Sequence, residues 1–111
     1  MTLFKFSKIL QKVDIPVGHY ATQQEETPYI IYQELATKQM YVSGEAVQED
    51  ISIEVVHFTK EEFDPTLERL KQVLRKHKIG FDIVHGYDPE AKNTVNQFTL
   101  TISNDLEADH E

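Results

Sequence analysis

Thr27-Pro28-Tyr29-Ile30-Ile31-Tyr32-Gln33-Glu34-Leu35 is an apolar and aromatic run entered from a polar loop through a proline. Pro28 has its φ fixed near −65° and no N–H to give to a ladder, which fits the entrance of a strand and not its middle. The run therefore reads as the first central strand, with the preceding residues leading in and the following ones pairing or packing. Its side chains are those of a buried scaffold. Function has to be sought in the plan of the whole chain.

Upstream, Leu3, Phe6, Leu10 and Val13 recur at helical spacing, with Lys5, Lys8 and Lys12 turned away, which predicts a short amphipathic helix. Thr2 is placed to cap it, and Pro16 ends it by pushing Ile15 out of the α region. A short extended piece over Ile15–Tyr20 and a polar loop over Thr22–Thr27 follow. Downstream, Ala36–Gln39 reads as a polar connection, and Met40–Val47 as a new extended segment interrupted at Gly44, a hairpin bend or bulge. Ile51, Ile53 and Val55 alternate with Ser52 and Glu54, predicting a strand over Asp50–Phe58 whose far end, at Val56 and Phe58, is covered on both faces.

Phe63, Leu67, Leu70, Val73, Leu74 and His77 trace the inner stripe of the main helix, with Glu68, Arg69, Lys71, Arg75 and Lys76 opposite. After a loose turn from residue 60, Asp64-Pro65 reads as an N-cap followed by proline in the first helical position, and Gly80 as the stop. Phe81–Tyr87 alternates as a strand, Asp88–Asn93 is a polar turn, and Gln97–Ser103 alternates with Phe98, Leu100 and Ile102 inward. Burying each of those three side chains contributes about 1.5–3 kcal/mol, so this strand anchors the sheet. Asn104–Glu111 is acidic and reads as a frayed tail. The expected fold is α+β: a mainly antiparallel sheet of four to five strands with two helices packed on one face, a single domain over residues 1–104, and a disordered tail over 105–111.

A chain of 111 residues makes one domain. It has no cysteine, which removes disulfides, thiolate zinc sites and cysteine nucleophiles. No apolar stretch approaches a membrane span or a signal core, so a soluble protein without targeting or membrane contact is expected. Net charge is −8, which opposes phosphate binding over most of the surface. The charge is segregated: residues 1–12 carry three lysines and no acid, and residues 60–78 carry six bases and four acids. Residues 13–59 hold eight acids against Lys38, and residues 79–111 hold seven acids against Lys92. Basic charge belongs to the two helices, and acidic charge to the strands and their loops.

Chemistry finds little to work with. His57, His85 and Glu54 would converge if their strands were adjacent, but no spacing such as His-Glu-x-x-His is present, and a strand-end imidazole commonly satisfies a backbone group. None of Ser7, Ser43, Ser52 and Ser103 sits in a glycine-flanked elbow, and the isolated glycines form no phosphate-cradling loop. Tyr29, Tyr32, Tyr41 and Tyr87 lack the basic groove that accompanies base stacking. No catalytic, cofactor-binding or metal-ligating residue is assigned, and no enzyme activity is expected.

The stretches Pro28–Tyr32, Ile51–Lys60, Leu67–Leu74 leading into Ile79-Gly80-Phe81, and Asn96–Ile102, taken in order, resemble small tail-terminator or tail-completion proteins of long-tailed bacteriophages. The resemblance runs through most of the chain. It implies a virion protein, present in the host cytoplasm during assembly, that forms a ring, a hexamer by the family's habit. Such a ring ends tail-tube growth and joins the tail to the head connector, with tail-tube and connector proteins as partners. DNA passes through it without specific binding. Within such a ring the candidate subunit or tube contacts are Met40, Tyr41, Val42, Glu45 and Val47 of the ribbon and Tyr87, Asp88 and Lys92 of the later turn. Glu45, Glu49 and Asp50 are the candidate lumen acids. A head-completion adaptor of the same particle is the alternative, and a bacterial α+β ligand-binding or metal-dependent enzyme domain a more distant one.

Overall fold

The computed structural model describes residues 1–22 and 26–106. Seven elements follow one another: α1 (Leu3–Gln11), β1 (Val17–His19), β2 (Tyr29–Val42), β3 (Glu45–Thr59), α2 (Pro65–Lys76), β4 (Phe81–Asp88) and β5 (Asn93–Asp105). The strands form one sheet in the order β1-β2-β3-β5-β4. Only β1 runs parallel to its neighbour; β2–β3, β3–β5 and β4–β5 are antiparallel. The fold is α+β, as the order of elements predicts.

Period-two patterning builds the core. Ile51, Ile53 and Val55 of β3 lie opposite Ile102, Leu100 and Phe98 of β5 in register, and Ile30 and Tyr32 of β2 extend the same face. Phe6, Ile9, Leu10 and Val13 from the first helical segment and Leu70 and Leu74 from α2 pack onto it, with Ile79 closing the end. The other face carries no helix among the described residues. There Tyr29 stacks on Phe58 with ring centroids 4.8 Å apart, and Val56 is buried without joining the main core.

Both helix starts follow from their caps. The Thr2 hydroxyl accepts the Lys5 N–H at 3.1 Å, and the Asp64 carboxylate accepts the Thr66 N–H at 2.8 Å with Pro65 in the first turn. Gly18 has no alternative, because a Cβ there would sit 2.1 Å from the Ala21 carbonyl oxygen. The β2–β3 bend is a two-residue turn in which Ser43 and Gly44 both take positive φ, 53° and 81°, the twist that matches the flanking strands.

Four expectations are corrected. Ala36–Gln39 is not a connection but the middle of β2, with Thr37, Lys38 and Gln39 opposite Ile51, Asp50 and Glu49. One edge of its backbone pairs with β3 while its side chains stay in water, so no apolar alternation marks it. Correspondingly, β3 begins at Glu45 instead of Asp50. Phe63 is 92% exposed; its φ of 58° turns it outward, and Asp64 takes the inward place as cap. Finally, β5 continues through Asn104 and Asp105, opposite Glu49 and Gln48, so the strand enters the segment expected to fray. The rest of that segment, 107–111, lies outside the described residues.

Leu70→Ala should lower the unfolding free energy by about 2–5 kcal/mol, and Phe63→Ala by less than about 0.5 kcal/mol. Urea titrations of both variants measure this; comparable losses would return Phe63 to the core.

Candidate assembly interface

The β2–β3 hairpin is longer than the body that supports it. β5 accompanies β3 only as far as Gln48, after which the Leu106 N–H makes a last bond to the Val47 carbonyl at 3.1 Å. Beyond that point the tip is a two-stranded ribbon, and the molecule measures 52 × 25 × 24 Å. The register slips between Glu34 and Ala36 and again between Met40 and Tyr41, which leaves Leu35 of β2 and Val47 of β3 as unpaired bulge residues. Such bulges bend and twist a ribbon and so aim its end.

The structure gathers Met40, Tyr41, Val42, Glu45 and Val47 at this tip. Met40, Tyr41 and Val42 are 53%, 62% and 58% exposed. The other expected contacts do not join them. Tyr87 and Asp88 pair with Thr94 and Asn93 beside Thr59, at the far end of β3, about 45 Å from the tip at the usual rise per strand residue. That turn is internally organised: the Asp88 carboxylate accepts the Glu90 N–H at 3.0 Å and the Ala91 N–H at 3.4 Å, and Lys92 sits at a positive φ of 56°. Ribbon and turn are two surfaces, not one.

The three acids expected to line a lumen are also divided. Glu49 and Asp50 are successive strand residues and point to opposite faces. Glu49 accepts from the Gln39 amide at 3.2 Å on the helix side. Asp50 accepts from Gln48 at 2.9 Å and Ser103 at 2.8 Å on the helix-free side. The Gln48 amide, then the Ser103 hydroxyl, hold its carboxyl below the usual range. The helix-free face thus carries Asp50, Glu54 and Asp82, the last two flanking Thr99 in register, with Asp105 beside Gln48 on the same side and Lys38 opposite Asp50.

His57 and His85 do come together, but as a polar row and not as ligands. The His85 Nδ1–H donates to Asn96 Oδ1 at 2.7 Å, and Asn96 Nδ2–H donates to His57 Nδ1 at 3.3 Å. That leaves the His57 proton on Nε2, which donates to the Thr66 hydroxyl at 2.7 Å. Thr66 in turn donates to Asp64 at 2.8 Å, and Thr59 donates to the other carboxylate oxygen at 2.5 Å. Each donor meets an acceptor, as a buried polar group requires. Glu54 points to the opposite face, so the trio considered for a metal does not form. Among the described residues no group of three or more His, Cys, Asp or Glu side chains could hold a metal ion.

The sequence pattern gave no sign of a second cluster at the β1–β2 edge. His19 stacks between Tyr20 and Tyr32, with ring centroids at 4.2 and 4.7 Å, and its Nε2 contacts Glu34. Tyr20 donates to the same carboxylate at 3.2 Å. Burial pushes the Glu34 carboxyl up, but the bonds from His19 and Tyr20 outweigh it and the net shift is downward. His19 and Glu34 are fifteen residues apart and meet only because β1 lies parallel to β2.

No helix among the described residues is long and apolar enough to cross a membrane. Compared with known proteins, the chain matches no family model and no curated protein sequence.

Burial lowers the pKa of His57 below its ordinary value of 6.5, an effect the nearby Asp64 charge opposes. The unfolded chain therefore takes up a proton that the folded protein refuses, and this contribution makes stability fall as pH drops below about 6.5. For Asp64, burial pushes upward but the Thr59 and Thr66 bonds and His57 win, so its contribution is complete above the ordinary 3.8 and is lost only below it. Between about pH 7 and 5 the urea midpoint of the wild type should fall more steeply than that of His57→Gln; equal slopes would refute the assignment.

Proposed function

We propose that this protein is a non-enzymatic structural component of a bacteriophage particle, a tail-terminator or tail-completion protein. In this reading it forms a ring, a hexamer in the family it resembles, which ends tail-tube growth and joins the tube to the head connector. The carrying observation is the hairpin tip. A two-stranded ribbon is marginal by itself in water, and this one holds Met40, Tyr41 and Val42 out beyond the third strand. A ribbon of that kind is completed by another surface, and assembly supplies one.

The charge layout supports the same function. The helices carry Lys5, Lys8, Lys12, Arg69, Lys71, Arg75 and Lys76 on one side of the sheet, whereas Asp50, Glu54 and Asp82 sit on the other. With the helix-free face turned to the channel, its acids repel DNA phosphates and let the genome pass without adhering. The protein then belongs to the virion and, during assembly, to the host cytoplasm.

Mixing the purified chain with tail tubes and imaging them tests this. The expected result is ring density at one tube end, and a Tyr41→Asp/Val42→Asp variant should lose it while keeping its circular dichroism and urea midpoint. Bare tube ends with the wild type would refute the reading, and capping by the double variant would remove the hairpin tip from it.

A further inference from the structure

The helix side of the body holds a groove of about 420 Å³ lined by Met1, Lys5, Lys8, Ile9, Lys12 and His77. Lys5, Lys8 and Lys12 follow at steps of three and four, so they share one face of the helix and run about 10 Å along it. No acid occurs before Asp14. The Lys12 ammonium donates to His77 Nε2 at 3.1 Å, which joins α1 to the end of α2, where Arg75, Lys76 and Lys78 add further positive charge. Ile9 supplies an apolar floor. In a chain of net charge −8 this is a concentrated positive site with a partly apolar base.

The hairpin tip has the opposite character. From Gln39 to Glu49 it carries Glu45 and Glu49 and no base, together with exposed Met40, Tyr41 and Val42. It cannot reach the groove of its own chain. The Met1 ammonium donates to the Ser103 carbonyl at 2.5 Å, and Ser103 lies opposite Asp50. The groove is therefore level with Asp50, and the Ser43–Gly44 bend projects about 20 Å past it along a paired ladder.

We propose that the groove receives the acidic hairpin tip of a second copy of the chain. The two patches are different surfaces of one molecule, so the contact is heterologous and repeats head to tail; it closes into a ring when the rotation permits. Acids meet lysines, Tyr41 and Val42 gain cover beside Ile9, and wrong pairings of acidic tip with acidic sheet face are disfavoured. This inference rests on the assembly reading above and specifies its contact.

A charge exchange tests it, read as ring density at tail-tube ends. Lys5→Glu/Lys8→Glu/Lys12→Glu should abolish rings, as should Glu45→Lys/Glu49→Lys, with unchanged circular dichroism in each. The two variants mixed in equal amounts should form rings again, since each then offers the tip that the other's groove accepts. Rings formed by the lysine variant alone, or no recovery in the mixture, would overturn the contact. If the lysine variant still self-associates in sedimentation but no longer attaches to tubes, the groove takes tube acids and the assignment to a second copy is wrong. Loss of rings by Tyr41→Asp/Val42→Asp with none by lysine reversal would sink this contact alone, whereas a wild type that leaves tube ends bare sinks the assembly reading with it.

Discussion

The constraint from which the rest follows is a mismatch of length. β3 has 15 residues and β2 has 14, spans of nearly 50 Å at about 3.3 Å per residue. The helices laid on them have 9 and 12 residues, about 14 and 18 Å at 1.5 Å per residue. Two helices of that size cannot cover two strands of that length, so the hairpin divides into a part with a core beneath it and a part without one. The division falls near Asp50. Below it every second residue of β3 is buried, from Ile51 to Thr59; above it, towards the bend, none is. The ladder continues regardless, because backbone hydrogen bonding is indifferent to which side chains lie above it. The arm is thus a consequence of the strand lengths, and its exposed apolar residues are the ones with no core beneath them.

Within the covered part, the His85–Asn96–His57–Thr66–Asp64 row sets the position of α2 against the sheet. An apolar core tolerates small shifts between layers, whereas a chain of donors and acceptors that must all be matched does not. Asn96 and His57 face each other in the β3–β5 register. A slip of one residue would turn His57 to the helix-free side and leave Thr66 without its donor. The same carboxylate that closes the row caps α2, so the start of that helix and the register of two strands are decided together.

Much of this could be read in the amino-acid sequence because the relevant residues answer to a local rule. β5 shows clean alternation because one face is buried and the other is wet, and α2 carries its stripe and its Asp64-Pro65 start for equally local reasons. What stayed hidden depends on neighbours distant in the chain. Ala36–Gln39 has no hydrophobic period because both of its faces meet water. Phe63 fits the helical stripe by spacing, but the chain there is not yet helical. At the candidate site, Met40, Tyr41 and Val42 stood out as an apolar ribbon without a packing role. Their separation from Tyr87, Asp88 and Lys92 is a property of the antiparallel order, which places successive hairpin turns at opposite ends of the sheet. His19 and Glu34 meet through a parallel pairing of three residues, too short to leave a pattern.

The segregation of charge has a consequence for any assembly of this chain. Copies with a net charge of −8 repel one another at long range, and at physiological ionic strength the repulsion is screened beyond about 8 Å. Approach is therefore governed by the charges that come within that distance. The helix side and the arm carry opposite charge, while the helix-free faces carry like charge and hold each other off. Apart from Lys38, which lies opposite Asp50 on the open face, the described strands carry acids where the helical layer carries bases, so on charge alone an approach of arm to helix is favoured over one of face to face. The selectivity comes from the topology, since both helices lie on one side of the strands and bring their bases with them.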